Sequence, residues 1–130
     1  MSNIDLLREA YARYGNRDLA FVDELFAEDI DWRIEGVLAV SGRAAVLEFF
    51  NGLREQFAAH TIEVDDYLED GDRLVCFVTH SLTRNDGESG QVKAVHDWRV
   101  RDGQVASLYE IADTMTFAVL TGQVPAPASA

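Results

Sequence analysis

The sequence is poor in cysteine and proline. Its one cysteine, Cys76, cannot form a disulfide within the chain, and no zinc site built from cysteines is possible. Both prolines fall in the segment 123–130, which otherwise holds small residues with little to bury. A chain of 130 residues fits one domain. We therefore predict a single domain over 1–122 and a flexible C-terminal tail over 123–130.

Basic residues are also scarce, since 11 Lys and Arg stand against 23 Asp and Glu, for a formal net charge of −12. Binding to nucleic-acid phosphates depends on clustered Lys and Arg, and anionic membrane surfaces attract the same residues. The sequence therefore predicts no nucleic acid and no membrane as a partner. We interpret the negative charge as a solvated exterior.

Long apolar runs are missing as well. No stretch approaches the roughly 20 apolar residues that a membrane-spanning helix needs. The start, Met1–Asp5, carries an acid early and no apolar run, which argues against a secretory signal. The composition, 48% hydrophobic and 26% charged, is ordinary for a globular protein. We expect a cytoplasmic protein with a buried core.

Three helices are predicted in the first part of the chain, where apolar residues recur at helical spacing. The first ends at Gly15, the second is short and capped by Asp18, and the third opens at Ser41-Gly42. Between the second and the third, the segment 29–35 alternates apolar and charged residues and is predicted to be a strand.

From His60 onward apolar residues alternate with polar ones, which predicts strands rather than helices. Turn dipeptides of the Asp-Gly type separate four strands, at about 60–69, 72–83, 91–101 and 104–112. Links this short force antiparallel hairpins. Helices followed by a meander predict the α+β class, with the helices packed on a curved, mainly antiparallel sheet. A last helical turn is predicted at about 114–121.

The third of these strands reveals which of its faces is buried. Its odd positions carry charges, so the even face must point inward. The even positions are Val92, Ala94, His96, Trp98 and Val100. His96 is therefore predicted on the apolar side. The pattern leaves the facing of the strands at 72–83 and 104–112 open.

Four local marks in the right order carry a family resemblance: Asp29-Ile30-Asp31-Trp32, then 41–46 (SGRAAV), 98–105 (WRVRDGQV) and 109–114 (YEIADT). With them the chain resembles, over about residues 3–121, the SnoaL-like branch of the nuclear transport factor two-like superfamily, which includes the ketosteroid isomerases. The resemblance implies a cone-shaped α+β barrel whose wide end takes a small hydrophobic ligand, and it favours a homodimer. The fold alone does not fix a reaction.

Limonene-epoxide-hydrolase-like relatives supply one comparison of site residues. Their catalytic aspartate on the last strand corresponds to Glu110, and their second catalytic aspartate corresponds to His80. The arginine that pairs these acids falls on Val78, and the tyrosine on the first strand falls on Trp32. Three departures from that set argue against epoxide hydrolysis by its mechanism.

Scytalone-dehydratase-like relatives supply another comparison, because they combine histidines and tyrosines in the pocket. This sequence could imitate that set with His80, His96, Tyr11 and Tyr14. We therefore predict His80 and Glu110 as an acid/base pair, with His96 or a tyrosine stabilising a developing oxyanion. The predicted substrate-binding residues are Trp32, Tyr11, Tyr14, Val78, Trp98 and Leu108.

Each candidate also has a plainer interpretation. His80 could be an ordinary rim residue, Glu110 could face solvent, His96 could be a core histidine satisfied by the backbone, and the aromatic residues could simply pack. His60 opens a strand and is predicted to be exposed. Three histidines on three strands, without a short repeated spacing, do not indicate a metal site.

The sequence contains no glycine-rich phosphate loop, nucleophile elbow or dinucleotide fingerprint, so we predict no cofactor and no metal. Three functions stay open. The first is a cofactor-free isomerase, dehydratase or cyclase acting on a hydrophobic carbonyl compound. The second is a non-catalytic module that binds a hydrophobic ligand. The third is a dimerisation module that uses the odd-numbered face of the sheet.

Overall fold

The computed structural model describes residues 1–125; the end of the predicted tail, 126–130, lies outside the described residues. The chain forms four helices and six strands within that range. In order, they are α1 (Asn3–Gly15), α2 (Phe21–Leu25), β1 (Phe26–Ile34), β2 (Leu38–Ser41), α3 (Arg43–Gln56), β3 (Phe57–Asp70), β4 (Arg73–Arg84), β5 (Ser89–Arg101), β6 (Gln104–Ala112) and α4 (Thr114–Leu120). The predicted elements are confirmed; the short strand β2 was not predicted. The prediction that Asp18 caps the second helix is wrong, because its carboxylate accepts a hydrogen bond from the Ala20 N–H, before the helix begins.

Helix α1 begins where the sequence predicts it. The Ser2 hydroxyl accepts a hydrogen bond from the Asp5 backbone N–H, which satisfies one of the free donors of the first turn. The buried stripe of the helix includes Leu7, Tyr11 and Tyr14, one or two turns apart. Both tyrosines therefore point toward the sheet.

The six strands form one sheet in the order β2-β1-β6-β5-β4-β3. All neighbouring pairs are antiparallel except β1 and β6, which are parallel. The sheet does not close on itself, because β2 and β3 are its two edges. Register shifts in three of the pairings bend the strands. The predicted α+β class with a mainly antiparallel sheet is confirmed.

The structure also resolves the two strands whose facing the sequence left open. On β4 the even positions point inward, since Cys76, Val78 and Leu82 are buried. On β6, Val105 and Leu108 are both buried although their parities differ. A register shift between β5 and β6 lies between these two positions, and it explains the ambiguous pattern.

Helices α1, α2 and α3 cover the inner face of the sheet and bury one large apolar core with it. A smaller cluster forms where α4 packs at the end of β5: Phe57, Leu82, Val92 and Leu120. A Cβ atom at Gly90 would lie 3.1 Å from Leu120 Cδ1, so the approach of α4 depends on this glycine. No helix within residues 1–125 combines the length and the apolar character that crossing a membrane requires.

Candidate active site

A cavity of about 110 Å³ lies between the inner face of the sheet and the helices α1 and α3. All of the predicted site residues line it except Val78, which is buried in the core behind it. The other lining residues are mostly apolar: Ala10, Phe21, Phe26, Ile34, Phe49, Phe50, Leu53 and Ile62, together with His60. Val78 is 1% exposed and packs in the apolar core, so the prediction that it forms part of the pocket wall is wrong.

A second, outer chamber of about 230 Å³ adjoins this cavity and shares Ile34, Phe49, His80 and Glu110 with it. The inner cavity alone is smaller than the ~150 Å³ void that holds one benzene molecule in a protein core. A ligand with more than one ring would therefore extend into the outer chamber. His80 and Glu110 lie where the two chambers meet.

The Glu110 carboxylate is the centre of the site. Strand register places Glu110 directly beside His96, and the Glu110 residue is 7% exposed. His80 Nε2 lies 2.8 Å from Glu110 Oε2, and His96 Nε2 hydrogen bonds to the same oxygen. Ala94 on β5 pairs with Ala112 on β6, and this pair lies between His80 and Glu110 on the inner face. The two short side chains leave room for the His80 ring to reach the carboxylate.

The electrostatics favour an ionised Glu110. Burial raises the pKa of this carboxyl, but the hydrogen bonds from His80 and His96 outweigh burial and hold the pKa below its ordinary value. Burial lowers the pKa of His96 in spite of the neighbouring carboxylate. The arrangement is therefore a carboxylate that accepts hydrogen bonds from two Nε2–H groups, with His96 neutral.

One chain of hydrogen bonds supports His96 from behind. The Tyr11 hydroxyl lies 2.7 Å from His96 Nδ1, and Trp98 Nε1 donates to the Tyr11 oxygen over 2.8 Å. Because a carboxylate only accepts, a neutral His96 carries its proton on Nε2, so Tyr11 must donate to Nδ1. Burial raises the pKa of Tyr11 well above its ordinary value, which keeps the hydroxyl protonated.

A second chain supports His80. His60 Nε2 lies 2.8 Å from His80 Nδ1, and the Tyr14 hydroxyl lies 2.7 Å from His60 Nδ1. Burial, and then the neighbouring His80, lower the pKa of His60 to about 3. The prediction that His60 is exposed is wrong. Its even parity with Ile62 and Val64 on β3 was the signal that could have placed it on the inner face.

Trp32 supplies a buried donor without a partner at the site. Its indole Nε1 is the sole buried side-chain nitrogen or oxygen within residues 1–125 that lacks a hydrogen-bond partner. The Trp32 residue is 4% exposed and lines the inner cavity. A buried donor without a partner carries a cost of about 1–3 kcal/mol, which a ligand oxygen could offset.

Folding also assembles a group that could hold a metal ion. Ligand atoms of His80, His96 and Glu110 all lie within 4.8 Å of one another. The sequence did not indicate this cluster, because its residues lie far apart along the chain and come together only when their strands pair. Two histidines and one carboxylate suit several divalent metals. The same atoms are fully engaged with one another by hydrogen bonds.

The sequence and the structure of the chain were compared with those of known proteins. No curated protein matches the sequence significantly. The structure is similar to an NTF2-like protein of unknown function from Burkholderia pseudomallei, with 27% identity, a TM-score of 0.84, and coverage of 93% of this chain and 98% of that one. It is similar to TerC, co-crystallised with polyporic acid, with 26% identity, a TM-score of 0.83, and coverage of 92% and 98%.

A third similar structure is IdmH from Streptomyces antibioticus, described as a candidate polyketide cyclase. Its identity is 20%, its TM-score is 0.83, and the match covers 94% of this chain and 99% of that one, so this likeness concerns the fold alone. The model of the SnoaL-like domain matches residues 7–108 of the sequence. The predicted family resemblance is thereby confirmed, and the chain belongs to the SnoaL-like domain family.

Proposed function

We propose that this protein is a cofactor-free acid/base enzyme of the isomerase, dehydratase or cyclase type, acting on a small hydrophobic carbonyl compound. The observation that carries the proposal is the Glu110 carboxylate, held ionised inside an apolar cavity. Both histidine hydrogen bonds go to Glu110 Oε2, so the other carboxylate oxygen is the atom that would remove a proton from the carbon next to the carbonyl group of a bound ketone.

The histidines hold that base rather than touch the substrate. Both ring nitrogens of His96 are engaged, by Glu110 and by Tyr11, and the Tyr11 hydroxyl is engaged in turn by Trp98. Neither His96 nor Tyr11 has a free donor for a substrate oxygen. We therefore assign His96 to orienting the carboxylate, and His80 to orienting it and to exchanging protons with it.

Trp32 is the better candidate for the oxyanion donor. Removing a proton next to a carbonyl group places negative charge on the carbonyl oxygen, which a fixed donor in a dry site stabilises. The Trp32 Nε1–H is such a donor, since it is buried and unpaired within the described chain. Strand register places Trp32 beside Leu108, and Ile34 beside Glu110, so donor and base are two positions apart along the same part of the sheet.

The shape of the site favours a substrate with at least two rings. The inner cavity has room for less than one benzene ring, and the adjoining chamber is lined by apolar residues such as Val92 and Phe117. TerC, to which the structure is similar, was co-crystallised with polyporic acid. We take β-tetralone, a bicyclic ketone with acidic α-protons, as the first probe.

The test is deuterium uptake by β-tetralone in D₂O, measured by NMR with wild-type protein and two variants. Glu110→Gln keeps the shape of the side chain and removes the base, so exchange should slow by about 10²–10⁴-fold. Asp97→Asn is the matched control, because Asp97 is the next residue after His96 and lies on the opposite face, bound to Arg73. It should exchange as fast as wild type.

Equal exchange by wild type and Glu110→Gln would contradict the assignment of the base. Binding of the ketone without any exchange would favour the non-catalytic module instead, and the fully engaged histidines are the observation that suits that alternative. Binding is read separately from the rise in melting temperature that a ligand of the folded state produces. Exchange that a chelator abolishes and zinc or iron restores would contradict the prediction that the protein uses no metal.

A homodimer remains part of the proposal. On the outer face of the sheet, Phe77, Val95 and Ile111 lie side by side across β4, β5 and β6. Phe77 is 41% exposed and Ile111 is 53% exposed, so the row is an apolar strip between the charged residues that the sequence places on this face. Light scattering should give a dimer for the wild type and a monomer for Phe77→Glu; a monomeric wild type would contradict the proposal.

A further inference from the structure

Glu110 joins two hydrogen-bonded chains that differ at their far ends. The chain through His96 and Tyr11 ends at Trp98 Nε1 in the core. Trp98 is 3% exposed, and an indole N–H donates but cannot accept. No proton can enter or leave this chain at its far end, so the His96 chain is closed.

The chain through His80 ends differently. It continues through His60 to the Tyr14 hydroxyl. His60 and Tyr14, which line the inner cavity, also line a small cavity of about 10 Å³ that is bounded by Arg17 and Arg54. Both arginines are exposed, so this cavity lies at the surface. Its volume suits about one water molecule.

We propose that His60 and His80 form a proton relay between Glu110 and solvent at this surface cavity. A water molecule that gives a proton to the Tyr14 oxygen releases the Tyr14 hydroxyl proton to His60 Nδ1, so one O–H bond forms and one breaks on Tyr14. His60 then passes the proton on its Nε2 to His80 Nδ1. The proton on His80 Nε2 then passes to the Glu110 carboxylate. One N–H bond forms and one breaks on each ring, one proton enters and one is delivered, and the reverse steps return a proton to solvent.

The bond between His60 and His80 is what makes the transfer possible. Each ring offers one nitrogen to the other over 2.8 Å, and either nitrogen can carry the proton. Burial, and then the neighbouring His80, disfavour a lasting charge on His60. His60 therefore passes protons on rather than storing them.

The relay rests on the proposed function, because an acid/base enzyme needs a route by which Glu110 exchanges protons with solvent. A ligand that fills both chambers excludes water from Glu110 through the mouth of the site. Glu110 must still change its protonation state during each turnover. His60 and Tyr14 line the small surface cavity as well as the inner cavity, so protons can be exchanged at this end of the chain while the substrate is bound.

The test needs no substrate. In protein labelled with ¹⁵N-histidine, NMR measures how fast the Nε2 protons of His80 and His96 exchange with water. Both protons donate to the same carboxylate oxygen, but His80 also lines the outer chamber, so the relay is tested by the change that His60 variants cause and not by the difference between the two wild-type rates. His60→Phe and His60→Gln should slow the His80 proton by on the order of a hundredfold and leave the His96 proton unchanged.

These variants separate a relay from a merely structural role. General loosening of the site would speed both protons, and His60→Gln keeps a hydrogen-bonding side chain but cannot shuttle a proton between two nitrogens. Free imidazole should restore exchange in His60→Ala, where it has space, and not in His60→Phe, where the ring is replaced. An unchanged His80 rate in both His60→Phe and His60→Gln would overturn the relay and leave the Glu110 test untouched; failure of the Glu110 test would leave the exchange rates as they are.

Discussion

Strands β4, β5 and β6 carry ionisable side chains on both faces of the sheet, and the two faces differ in how far solvent reaches these groups. His96 and Asp97 are consecutive residues of β5. His96 is 3% exposed and hydrogen bonds to a buried carboxylate, whereas Asp97 points outward and forms two hydrogen bonds with the exposed Arg73. On the outer face solvent screens the pair; on the inner face the same kinds of groups shift one another's protonation. Facing, rather than residue type, decides which groups can do chemistry.

The largest difference between the faces should be in how much a truncated side chain lowers the free energy of unfolding. Trp98 is buried against Trp32 and Phe26, and it donates to Tyr11. Trp98→Ala should lower the free energy of unfolding by about 3–5 kcal/mol. The adjacent outer residue, Arg99, is exposed, and Arg99→Ala should stay within about 0.5 kcal/mol of wild type. Urea unfolding measures both, and similar losses would break the contrast.

The pH dependence of stability should come from the inner face. His60 has an ordinary pKa of 6.5 and a folded pKa of about 3, so between these values the unfolded chain binds a proton that the folded one refuses. The free energy of unfolding should therefore fall as the pH falls below 6.5, by up to about 1.4 kcal/mol per pH unit from His60. His96, whose pKa is also lowered, adds in the same direction.

His60→Phe removes this titration, so the free energy of unfolding should depend less steeply on pH below 6.5, whatever the effect of the variant on stability at neutral pH. Glu110 acts in a lower range: its pKa is depressed, so its contribution is present above the ordinary carboxyl value and is lost only on further acidification. Urea unfolding at a series of pH values separates the two. A slope in His60→Phe equal to that of wild type would show that His60 is not buried in its neutral form.

Removing one tyrosine hydroxyl from each face should give a smaller difference in the free energy of unfolding. Tyr11→Phe leaves Trp98 Nε1 and His96 Nδ1 without their partner and should cost about 1–3 kcal/mol. On the outer face, the Tyr109 hydroxyl donates to the exposed Glu35 over 3.2 Å. Tyr109→Phe should change the free energy of unfolding by less than about 0.5 kcal/mol. A cost for Tyr109→Phe equal to that for Tyr11→Phe would contradict the burial of the Tyr11 network.

The smallest effect is expected for the outer ion pair. Arg73 Nη2 lies 2.9 Å from Asp97 Oδ2, and the Arg73 side chain is 49% exposed. A double-mutant cycle with Arg73→Ala and Asp97→Ala should give a coupling energy of about 0–1 kcal/mol, which high salt abolishes. A coupling that persists at high salt would indicate that this face is covered, as in the proposed homodimer.

Much of this arrangement can be predicted from the sequence because it depends on local patterns. The alternation along β5 places His96 inward, and the Asp-Gly turns separate β3 to β6 at nearly their observed ends. The last helical turn, predicted at about 114–121, is α4, and the Asp113 carboxylate before it accepts a hydrogen bond from the Thr116 N–H. Such features follow from neighbours along the chain.

What could not be predicted depends on distant residues. The register shift between β5 and β6 sets Glu110 beside His96, and the local pattern of β6 left its facing open. His60 joins the site only because β3 pairs with β4, which sets His60 beside Leu82 and within reach of His80. Val78 was assigned to the pocket wall by correspondence with a family position, and it lies in the core instead.

The central claim is that Glu110 is an ionised base inside the cavity, and the most direct test is its own titration. In protein labelled with ¹³C-glutamate, the carboxyl resonance that disappears in Glu110→Gln identifies this residue. It should show a carboxylate at neutral pH, and on acidification it should protonate after the other glutamates, because its pKa is lowered. A carboxylic acid signal at neutral pH, or protonation before the exposed glutamates, would contradict the account.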